Sequence, residues 1–318
     1  MRVLVNTPHL AVEGMAILEA AGLDIHTTEA FPSPERLAEE AARLQVDAII
    51  ARQGRINGLV MDASPRLRII ARHGAGTDEV DLEAARARNL LVTRTPGANA
   101  VAVAEHTLAL ILALFKDIPA LGRGVASGGW RSGQMRVRDL AGARLGLYGM
   151  GPIGQEMARL ASLLGMRVSA FSRQTAPEVY RHATRAASLD ALLADSEVLS
   201  LHAALTPETQ HIIGATALAR LPAGAFVVNT ARGGLIDEAA LIAALESGHI
   251  GGAGLDVTSP EPPPEDHPLR RHPKVVLTPH MAGVTEGAMA QMAIDAAECV
   301  VAKLTGQPVP PERIVVPG

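Results

Sequence analysis

Short apolar runs alternate with helical patterns along the first ninety residues of the chain. The runs are three to five residues long, and the segments between them repeat apolar residues at spacings of three and four, as helices with one buried face do. The predicted strands are residues 3–5, 24–27, 47–51, 67–71 and 90–92, and the predicted helices include 12–21, 34–44 and 82–88. Strands that alternate with helices in this way predict an open parallel sheet.

A second series of the same kind follows a long helix. The turn Thr95-Pro96-Gly97 precedes a helical pattern over residues 99–115 and indicates a crossover between two domains. Six further strands are predicted at residues 144–148, 167–171, 198–201, 226–229, 252–257 and 275–278. Because the helical pattern over residues 286–304 comes after this second sheet is complete, we expect that helix to return to the first sheet.

A glycine-rich loop joins the first strand of the second series to its helix. It has the spacing G-x-G-x-x-G and consists of Gly149, Met150, Gly151, Pro152, Ile153 and Gly154. Such glycines permit a tight turn and close approach of the backbone to a pyrophosphate, which the helix N-terminus attracts. The loop therefore predicts a dinucleotide site; the alternative is that the glycines form nothing more than a turn between strand and helix.

The residues after the next strand bear on which dinucleotide binds. An acidic residue in this place normally accepts hydrogen bonds from the adenosine ribose of NAD. This chain has Ser172 and Arg173 instead, and a hydroxyl beside a guanidinium would bind a 2′-phosphate, which a carboxylate would repel. The sequence favours NADP(H), with NAD(H) possible, unless Arg173 is a solvated surface charge and Ser172 merely ends the strand.

Three charged residues in the last third of the chain each follow a strand-like run. They are Arg232, Glu261 and His280. An arginine can bind a carboxylate through two hydrogen bonds, and a histidine paired with a glutamate can donate a proton to a developing alkoxide. Singly, each is also compatible with an ordinary surface charge or a strand-end histidine. Together they indicate the reduction of a 2-oxo acid.

The order of these features predicts an α/β fold with two domains. A Rossmann dinucleotide-binding domain would comprise residues 99–285, and a smaller flavodoxin-like parallel α/β substrate domain would comprise residues 1–98 and 286–318. The active site would then lie in the cleft between the domains.

Composition agrees with two folded cores and restricts the partners. In 318 residues, 48% are hydrophobic and 2% aromatic, so the cores must be built from Ala, Val, Leu and Ile. A net charge of −4, without clusters of basic and aromatic residues, argues against nucleic acid. The single cysteine, Cys299, lies in an apolar helical pattern and reads as a core residue. No Cys and His residues have zinc-ligand spacing, so we expect no metal site and a reducing compartment.

Neither a signal peptide nor a membrane span is expected. Pro8 and His9 interrupt the apolar run at the N-terminus, which reads as a first strand. The longest apolar region, residues 107–115, is too short to cross a bilayer. We expect a cytoplasmic protein.

Motifs in one order along residues 67–304 resemble a known family. They are Arg72-His73-Gly74-Ala75-Gly76-Thr77-Asp78, Asn99 with Val103-Ala104-Glu105, the Gly149 to Gly154 loop, His202 with Thr206-Pro207-Glu208-Thr209, Asn229-Thr230-Ala231-Arg232-Gly233, Gly254-Leu255-Asp256-Val257 with Glu261-Pro262, and Thr278-Pro279-His280. Together they resemble the D-isomer-specific 2-hydroxyacid dehydrogenases, which include phosphoglycerate dehydrogenases and glyoxylate/hydroxypyruvate reductases.

The resemblance implies a catalytic role for each member of the trio. Arg232 would bind the carboxylate and the 2-oxo group of the substrate. His280 would donate the proton in reduction and accept it in oxidation. Glu261 would hold the imidazole in one tautomer and favour its charged form.

The same resemblance implies the remaining contacts. Asp256 would hydrogen-bond the nicotinamide carboxamide, and the backbone N–H groups around Ala75 and Gly76 would bind the substrate carboxylate. Further cofactor contacts would come from His202, Thr209, Thr230, Ala231, Arg232 and His280. The substrate pocket would be lined by Arg52, His73, Gly74, Ala75, Gly76, Arg232, His280, Met281 and Trp130 from a second copy of the chain. Arg52 and His73 would accept a second anionic group of the substrate; the alternative is that Arg52 binds water alone.

The expected function is reduction of a small 2-oxo acid such as glyoxylate or hydroxypyruvate to the D-2-hydroxy acid with NADPH. An NAD-dependent D-3-phosphoglycerate dehydrogenase is the alternative. A non-catalytic, cofactor-sensing relative would be expected to lack one of the trio, and a formate-dehydrogenase-like enzyme would have a glutamine in place of Glu261. Residues 125–130 would reach across to a second copy in a homodimer. Since the chain ends soon after the last helical pattern, we expect no appended regulatory domain.

Overall fold

Strands and helices alternate along nearly the whole chain in a computed structural model, which describes residues 1–131 and 136–318. The strands are β1 (Arg2–Val5), β2 (Asp24–Thr27), β3 (Ala48–Ala51), β4 (Ile69–Arg72), β5 (Leu91–Thr93), β6 (Arg144–Tyr148), β7 (Arg167–Phe171), β8 (Thr184–Arg185), β9 (Val198–Leu201), β10 (Ala225–Asn229), β11 (Ile250–Leu255), β12 (Val275–Leu277) and β13 (Ile314–Val316). The helices are α1 (Val12–Ala20), α2 (Pro34–Leu44), α3 (Gly58–Asp62), α4 (Leu82–Ala87), α5 (Ala100–Phe115), α6 (Ile118–Ala126), α7 (Pro152–Leu163), α8 (Leu189–Ala194), α9 (Ala215–Arg220), α10 (Glu238–Glu246) and α11 (Glu286–Thr305).

The chain divides into two compact units. Unit 1 contains residues 1–99 and 284–318, and unit 2 contains residues 100–283.

Unit 1 is built on a six-stranded sheet in the order β13-β5-β4-β3-β1-β2. All neighbouring strands are parallel except β13, which runs antiparallel to β5. Every residue of the central strand β3 is buried, as expected for a strand covered by helices on both faces. The sheet therefore has one core on each face.

The helices of unit 1 follow local sequence signals. In α2, the Ser33 side chain caps the helix by accepting a hydrogen bond from the backbone N–H of Arg36, and Pro34 occupies the first position, where its missing N–H costs nothing. The C-terminal helix α11 packs on α1 at Gly14, where an added Cβ would lie 2.7 Å from Cβ of Ala293. A glycine at this point lets the two helices approach closely.

Unit 2 is built on a fully parallel seven-stranded sheet in the order β12-β11-β10-β9-β6-β7-β8. The chain begins at β6, continues outward through β7 and β8, and then returns to β9 on the other side of β6. This reversal creates the switch point at which open α/β sheets bind ligands, beyond the carboxyl ends of the strands. Helix α5 lies against β11, where Gly254 would place a Cβ 3.0 Å from Cβ of Leu110.

The predicted α/β class with parallel sheets is confirmed, and several of the shorter elements were not predicted. The antiparallel edge strand β13 and the two-residue strand β8 were not predicted, because runs this short carry no periodicity. Helix α6 was also missed, because Gly122 and Gly124 lower its helix propensity. No helix of the described residues is long and apolar enough to cross a membrane.

Candidate active site

The predicted functional residues of unit 2 follow the carboxyl ends of its strands. The glycine loop follows β6, Ser172 follows β7, His202 follows β9, and Asp256 follows β11. Because the strands are parallel, these ends lie along one edge of the sheet. The edge includes the switch point between β6 and β9.

The glycine loop has the shape that a dinucleotide pyrophosphate requires. Gly149 has φ +107°, and a Cβ there would lie 2.6 Å from the backbone of Ala203. At Gly154 a Cβ would lie 2.2 Å from the carbonyl oxygen of Gly149, so both positions exclude any side chain. A Cβ at Gly151 would meet no atom within 4 Å, and this residue is the N-cap of helix α7. Backbone N–H groups at a helix N-terminus are thus open to an anion, which fits a nicotinamide dinucleotide.

His202 lies beneath the glycine loop as a neutral imidazole. Burial lowers its pKa to about 4, and its Nε2 lies 2.9 Å from Oγ of Ser200. The hydroxyl of Thr209 shapes the following segment, since it accepts a hydrogen bond from the Thr206 N–H and donates one to the Ala204 carbonyl oxygen. In this structure Thr209 supports the backbone of the predicted cofactor site, and the His202 side chain contacts Ser200.

Ser172 and Arg173 lie at the end of β7, at the place predicted for the adenosine ribose. The Ser172 hydroxyl accepts a hydrogen bond of 3.3 Å from the N–H of Gln174. The guanidinium of Arg173 is exposed. A hydrogen bond from Thr206, with a smaller contribution from the charge of Arg173, holds the pKa of the Glu208 carboxyl below its usual value. The charge of Arg173 therefore acts on the segment that follows β9.

Arg232 follows β10 in a turn that is fixed by Asn229. The Asn229 side chain accepts a hydrogen bond from the Ala231 N–H and donates one to the Arg232 carbonyl oxygen. Helix α5 supports the same turn, because the hydroxyls of Thr107 and Thr230 lie 2.8 Å apart. The turn places Arg232 where its charge acts on His280.

His280 and Glu261 form a hydrogen-bonded pair. Nδ1 of His280 lies 2.7 Å from Oε2 of Glu261, and the imidazole is 51% exposed. The hydrogen bond that His280 donates to Glu261 raises the pKa of His280 above its ordinary value, while burial and Arg232 act in the opposite direction. With Nδ1–H directed at Glu261, Nε2 is the atom left to donate or accept a proton.

Asp256 has a different set of partners from the predicted carboxamide contact. Its side chain is fully buried, and its carboxylate accepts hydrogen bonds from the Thr278 hydroxyl and from the N–H groups of Met281 and Ala282. The backbone carbonyl of Asp256 accepts the N–H of His280. These bonds hold the loop of His280, a residue with φ +55°. Contact with a cofactor stays a prediction.

Sequence reasoning missed His106, which extends this network from helix α5. Its Nε2 lies 3.0 Å from Oγ of Thr278, and the Thr278 hydroxyl donates to Asp256. The residue is next to the Val103-Ala104-Glu105 motif, but no sequence signal connects it with a residue 172 positions later.

Unit 1 carries the other predicted substrate residues in loops after β3 and β4. The Arg52 guanidinium donates to the hydroxyl of Thr7 and has no carboxylate partner among the described residues; burial lowers its pKa. His73 is 3% exposed, and burial, with the charges of Arg52 and Arg72, lowers its pKa to about 4. A neutral imidazole and an arginine cation are therefore close to each other.

The segment Gly74 to Gly76 is held from both sides. Gly74, with φ +148°, donates its N–H to the Thr95 hydroxyl. Arg72, another residue whose part was missed, donates to the Gly76 carbonyl oxygen and to the carbonyl oxygens that end β3. The N–H groups of Ala75 and Gly76 meet no acceptor within residues 1–131 and 136–318. They are available to bind an anion.

In the part of the chain that the structure describes, no group of three His, Cys, Asp or Glu side chains is arranged to hold a metal ion.

Comparisons with known proteins agree with this geometry. The family model described as D-isomer specific 2-hydroxyacid dehydrogenase, NAD binding domain, matches residues 108–282. A glyoxylate reductase of Aeropyrum pernix is 39% identical over 268 residues, which are 82% of this chain and 80% of the relative. The crystal structure of a Thermus thermophilus protein matches with a TM-score of 0.91 and 38% identity, covering 99% of this chain and 100% of the other.

D-3-phosphoglycerate dehydrogenases are also similar. The protein of Archaeoglobus fulgidus is 35% identical over 314 residues, which are 97% of this chain and 58% of the relative. The Mycobacterium bovis protein is 39% identical over 87% of this chain and 53% of its own length. The chain thus spans between half and two thirds of the length of these relatives.

Proposed function

The chain belongs to the D-isomer specific 2-hydroxyacid dehydrogenase family, and from this premise we propose that it reduces a small 2-oxo acid to the D-2-hydroxy acid, with NADPH as the preferred hydride donor. The observation that carries the proposal is the 2.7 Å contact between His280 and Glu261, next to the charge of Arg232. A proton donor and an anion-binding group are then both present along the same sheet edge as a loop that fits a dinucleotide.

The chemistry follows from the charges at the edge of the sheet. Arg232 binds the carboxylate and the 2-oxo group and so draws electron density from the carbonyl carbon. The bound cofactor supplies the hydride. His280 donates a proton from Nε2 to the developing alkoxide, and Glu261 stabilises the imidazolium that does so. In the reverse direction, neutral His280 accepts the proton.

The NADPH preference rests on Ser172 and Arg173. A hydroxyl and an exposed guanidinium stand at the end of β7, where a carboxylate would exclude a 2′-phosphate. Charge-assisted hydrogen bonds to the phosphate are expected to favour NADPH by about 1.5–3 kcal/mol, or roughly 10- to 150-fold in kcat/KM.

Initial rates at 340 nm test this proposal with NADPH, NADH and a series of 2-oxo acids. Ser172→Asp combined with Arg173→Ala should reverse the preference, mainly through the KM of the cofactor. The exposed Arg181 is a matched control, and Arg181→Ala should leave the ratio unchanged. A preference for NADH in the unmodified protein would refute the NADP assignment and leave the dehydrogenase proposal standing.

A D-3-phosphoglycerate dehydrogenase activity is the second candidate, and Arg52 favours it. Its guanidinium is half-buried, without a carboxylate partner among the described residues, so a second anionic group of a substrate could bind there. Arg52→Gln should lower kcat/KM about 10- to 150-fold for a 2-oxo acid with a phosphate or second carboxylate. The rate with glyoxylate should not change. No turnover of a 2-oxo acid with a phosphate or second carboxylate by the unmodified protein would exclude this candidate, and no effect of Arg52→Gln on such turnover would remove Arg52 from it.

A homodimer is part of the same proposal. Helix α6 has no buried residue, and its Ile118 and Val125 are exposed together with Trp130, which is 82% exposed. Apolar side chains gathered in this way are typical of an interface. Light scattering at micromolar concentration should give twice the chain mass of 33.2 kDa, and Val125→Asp should lower it. A single-chain mass for the unmodified protein would contradict the proposal.

A further inference from the structure

A second histidine–glutamate pair in unit 2 joins the loop that carries Glu261 to the start of helix α10. Nε2 of His267 is 3.1 Å from Oε2 of Glu238, and the two side chains are only 16% and 13% exposed. The catalytic candidates Glu261 and His280 are 36% and 51% exposed. The second pair is therefore the more enclosed of the two, and none of the steps above uses it.

Glu238 also binds the other end of the same loop. Its Oε1 accepts a hydrogen bond of 2.8 Å from the N–H of Ser259. The preceding N–H, that of Thr258, donates to Oε1 of Glu261. Two successive backbone amides thus bind two different carboxylates. One carboxylate outside the loop holds it at residue 259 and at residue 267, on either side of Glu261.

Glu238, whose carboxylate holds the loop, lies on a capped helix. Glu238 is the first residue of helix α10, directly after Asp237, whose side chain caps the helix by accepting the N–H of Ala240. Close backbone packing joins this region to the turn of Arg232, because a Cβ at Gly233 would lie 2.1 Å from the carbonyl oxygen of Thr258. The Glu261 loop is therefore fixed against the turn that carries Arg232.

We propose that Glu238 and His267 are positioning residues, which hold the 259–267 loop so that Glu261 stays within hydrogen-bond distance of His280. The role as an aid to catalysis rests on the proposed function; the mechanical role does not. A carboxylate on a loop supports an imidazolium effectively only if its oxygen is held in place, because small misplacements of a catalytic group are costly.

The mechanical role is tested without substrate, by titrating His280 in NMR spectra of histidine-labelled protein. The charged groups that act on this imidazole are Glu261, Arg232 and Asp256. Glu238→Ala should lower the His280 pKa in the same direction as Glu261→Gln, but by less. Added to Glu261→Gln, Glu238→Ala should produce no further change, since it acts through Glu261. Glu246→Ala, at the exposed end of the same helix, is the control and should not move the titration.

Steady-state kinetics test whether Glu238 and His267 aid catalysis. Glu238→Ala and His267→Ala should lower kcat about 10- to 100-fold with little change in the cofactor KM. Glu238→Gln should recover part of the rate, because an amide oxygen can still accept the N–H of Ser259.

The outcomes separate the two proposals. An unchanged His280 titration in folded Glu238→Ala protein, or an effect of the same size with and without Glu261→Gln, would overturn the positioning role. Absence of 2-oxo acid reduction by the unmodified protein would refute the proposed function, and the NMR titration would still decide the positioning role.

Discussion

Two histidines, one in each unit, have opposite electrostatic surroundings. His280 in unit 2 is half-exposed and hydrogen-bonded to Glu261, which raises its pKa. His73 in unit 1 is 3% exposed, and burial together with the charges of Arg52 and Arg72 lowers its pKa to about 4. The neighbours of an imidazole, rather than the imidazole itself, determine whether it carries a proton near pH 7.

The difference separates two tasks that a 2-oxo acid reductase has to perform. A proton must be available at the reacting oxygen, and the anionic substrate must be held. In this molecule the carboxylate-backed histidine suits the first task. The neutral histidine beside a cation suits the second, because it does not titrate in the working pH range and leaves the positive charge to the arginine.

Replacement of each histidine by an uncharged residue should give the largest expected effect, which is a difference in kcat between the two variants. His280→Ala should lower kcat about 10²- to 10⁴-fold with a modest change in KM, as loss of a positioned acid does. His73→Gln should leave kcat at pH 7 nearly unchanged, because a histidine with a pKa of about 4 is not the proton donor. Steady-state kinetics on both variants, with circular dichroism to confirm folding, provide the measurement. Similar losses of kcat in the two variants would contradict the division of tasks.

The two histidines should also contribute to the free energy of unfolding with opposite pH dependence. The pKa of His73 is about 4 in the folded chain against an ordinary 6.5, so the unfolded chain binds more protons between these values. The contribution of His73 to stability is complete above pH 6.5 and falls on acidification to pH 4, by up to about 3 kcal/mol at roughly 1.4 kcal/mol per pKa unit. His280, with a raised pKa, has the opposite sign, since its contribution is present at low pH and is lost as the pH rises.

Urea unfolding at pH 7.5 and pH 5, followed by far-ultraviolet circular dichroism, measures this effect. The difference between the two midpoints should be smaller in His73→Gln than in the unmodified protein. The exposed His182 is the control, and His182→Gln should leave the difference as it is. If His73→Gln behaves like the control, the imidazole of His73 is not held neutral by burial.

The smallest expected effect is on the pH dependence of the rate and concerns the pair of His280 and Glu261. Glu261→Gln keeps the shape of the side chain and removes the charge that favours the imidazolium. The pH at which reduction falls off should therefore move down by about one unit, and oxidation should remain active to lower pH. Rates measured from pH 5 to pH 10 test this, with Glu265→Gln, an exposed residue of the same loop, as the control. An unshifted profile would separate Glu261 from the proton transfer.

Much of the architecture could be predicted because its signals are local. The apolar runs that became β6, β7 and β9 were placed at the correct residues, since each is bounded by polar or turn residues. The glycine loop was recognisable because its spacing reflects backbone contacts, which the structure shows at Gly149 and Gly154.

Less of the site could be predicted, because its contacts are not local. Glu261 and His280 each follow a strand of one parallel sheet, so their side chains could be expected at one edge. Their catalytic roles stay predictions. Nothing in the sequence indicated that the carboxylate of Asp256 accepts three hydrogen bonds from the loop of His280. Nor could the contact between Glu238 and His267 be foreseen, because it depends on how the start of helix α10 packs against a loop.

The exposed position of Trp130 has a spectroscopic consequence. It is the single tryptophan of the chain and belongs to none of the hydrophobic cores; its side chain is 82% exposed. Tryptophan fluorescence, excited at the long-wavelength edge of its absorption band, will therefore report on whatever covers residue 130. It will respond very little to unfolding of the two sheets. In a dilution series, a shift of the emission maximum would follow the covering and uncovering of this one surface, with no dye or label attached.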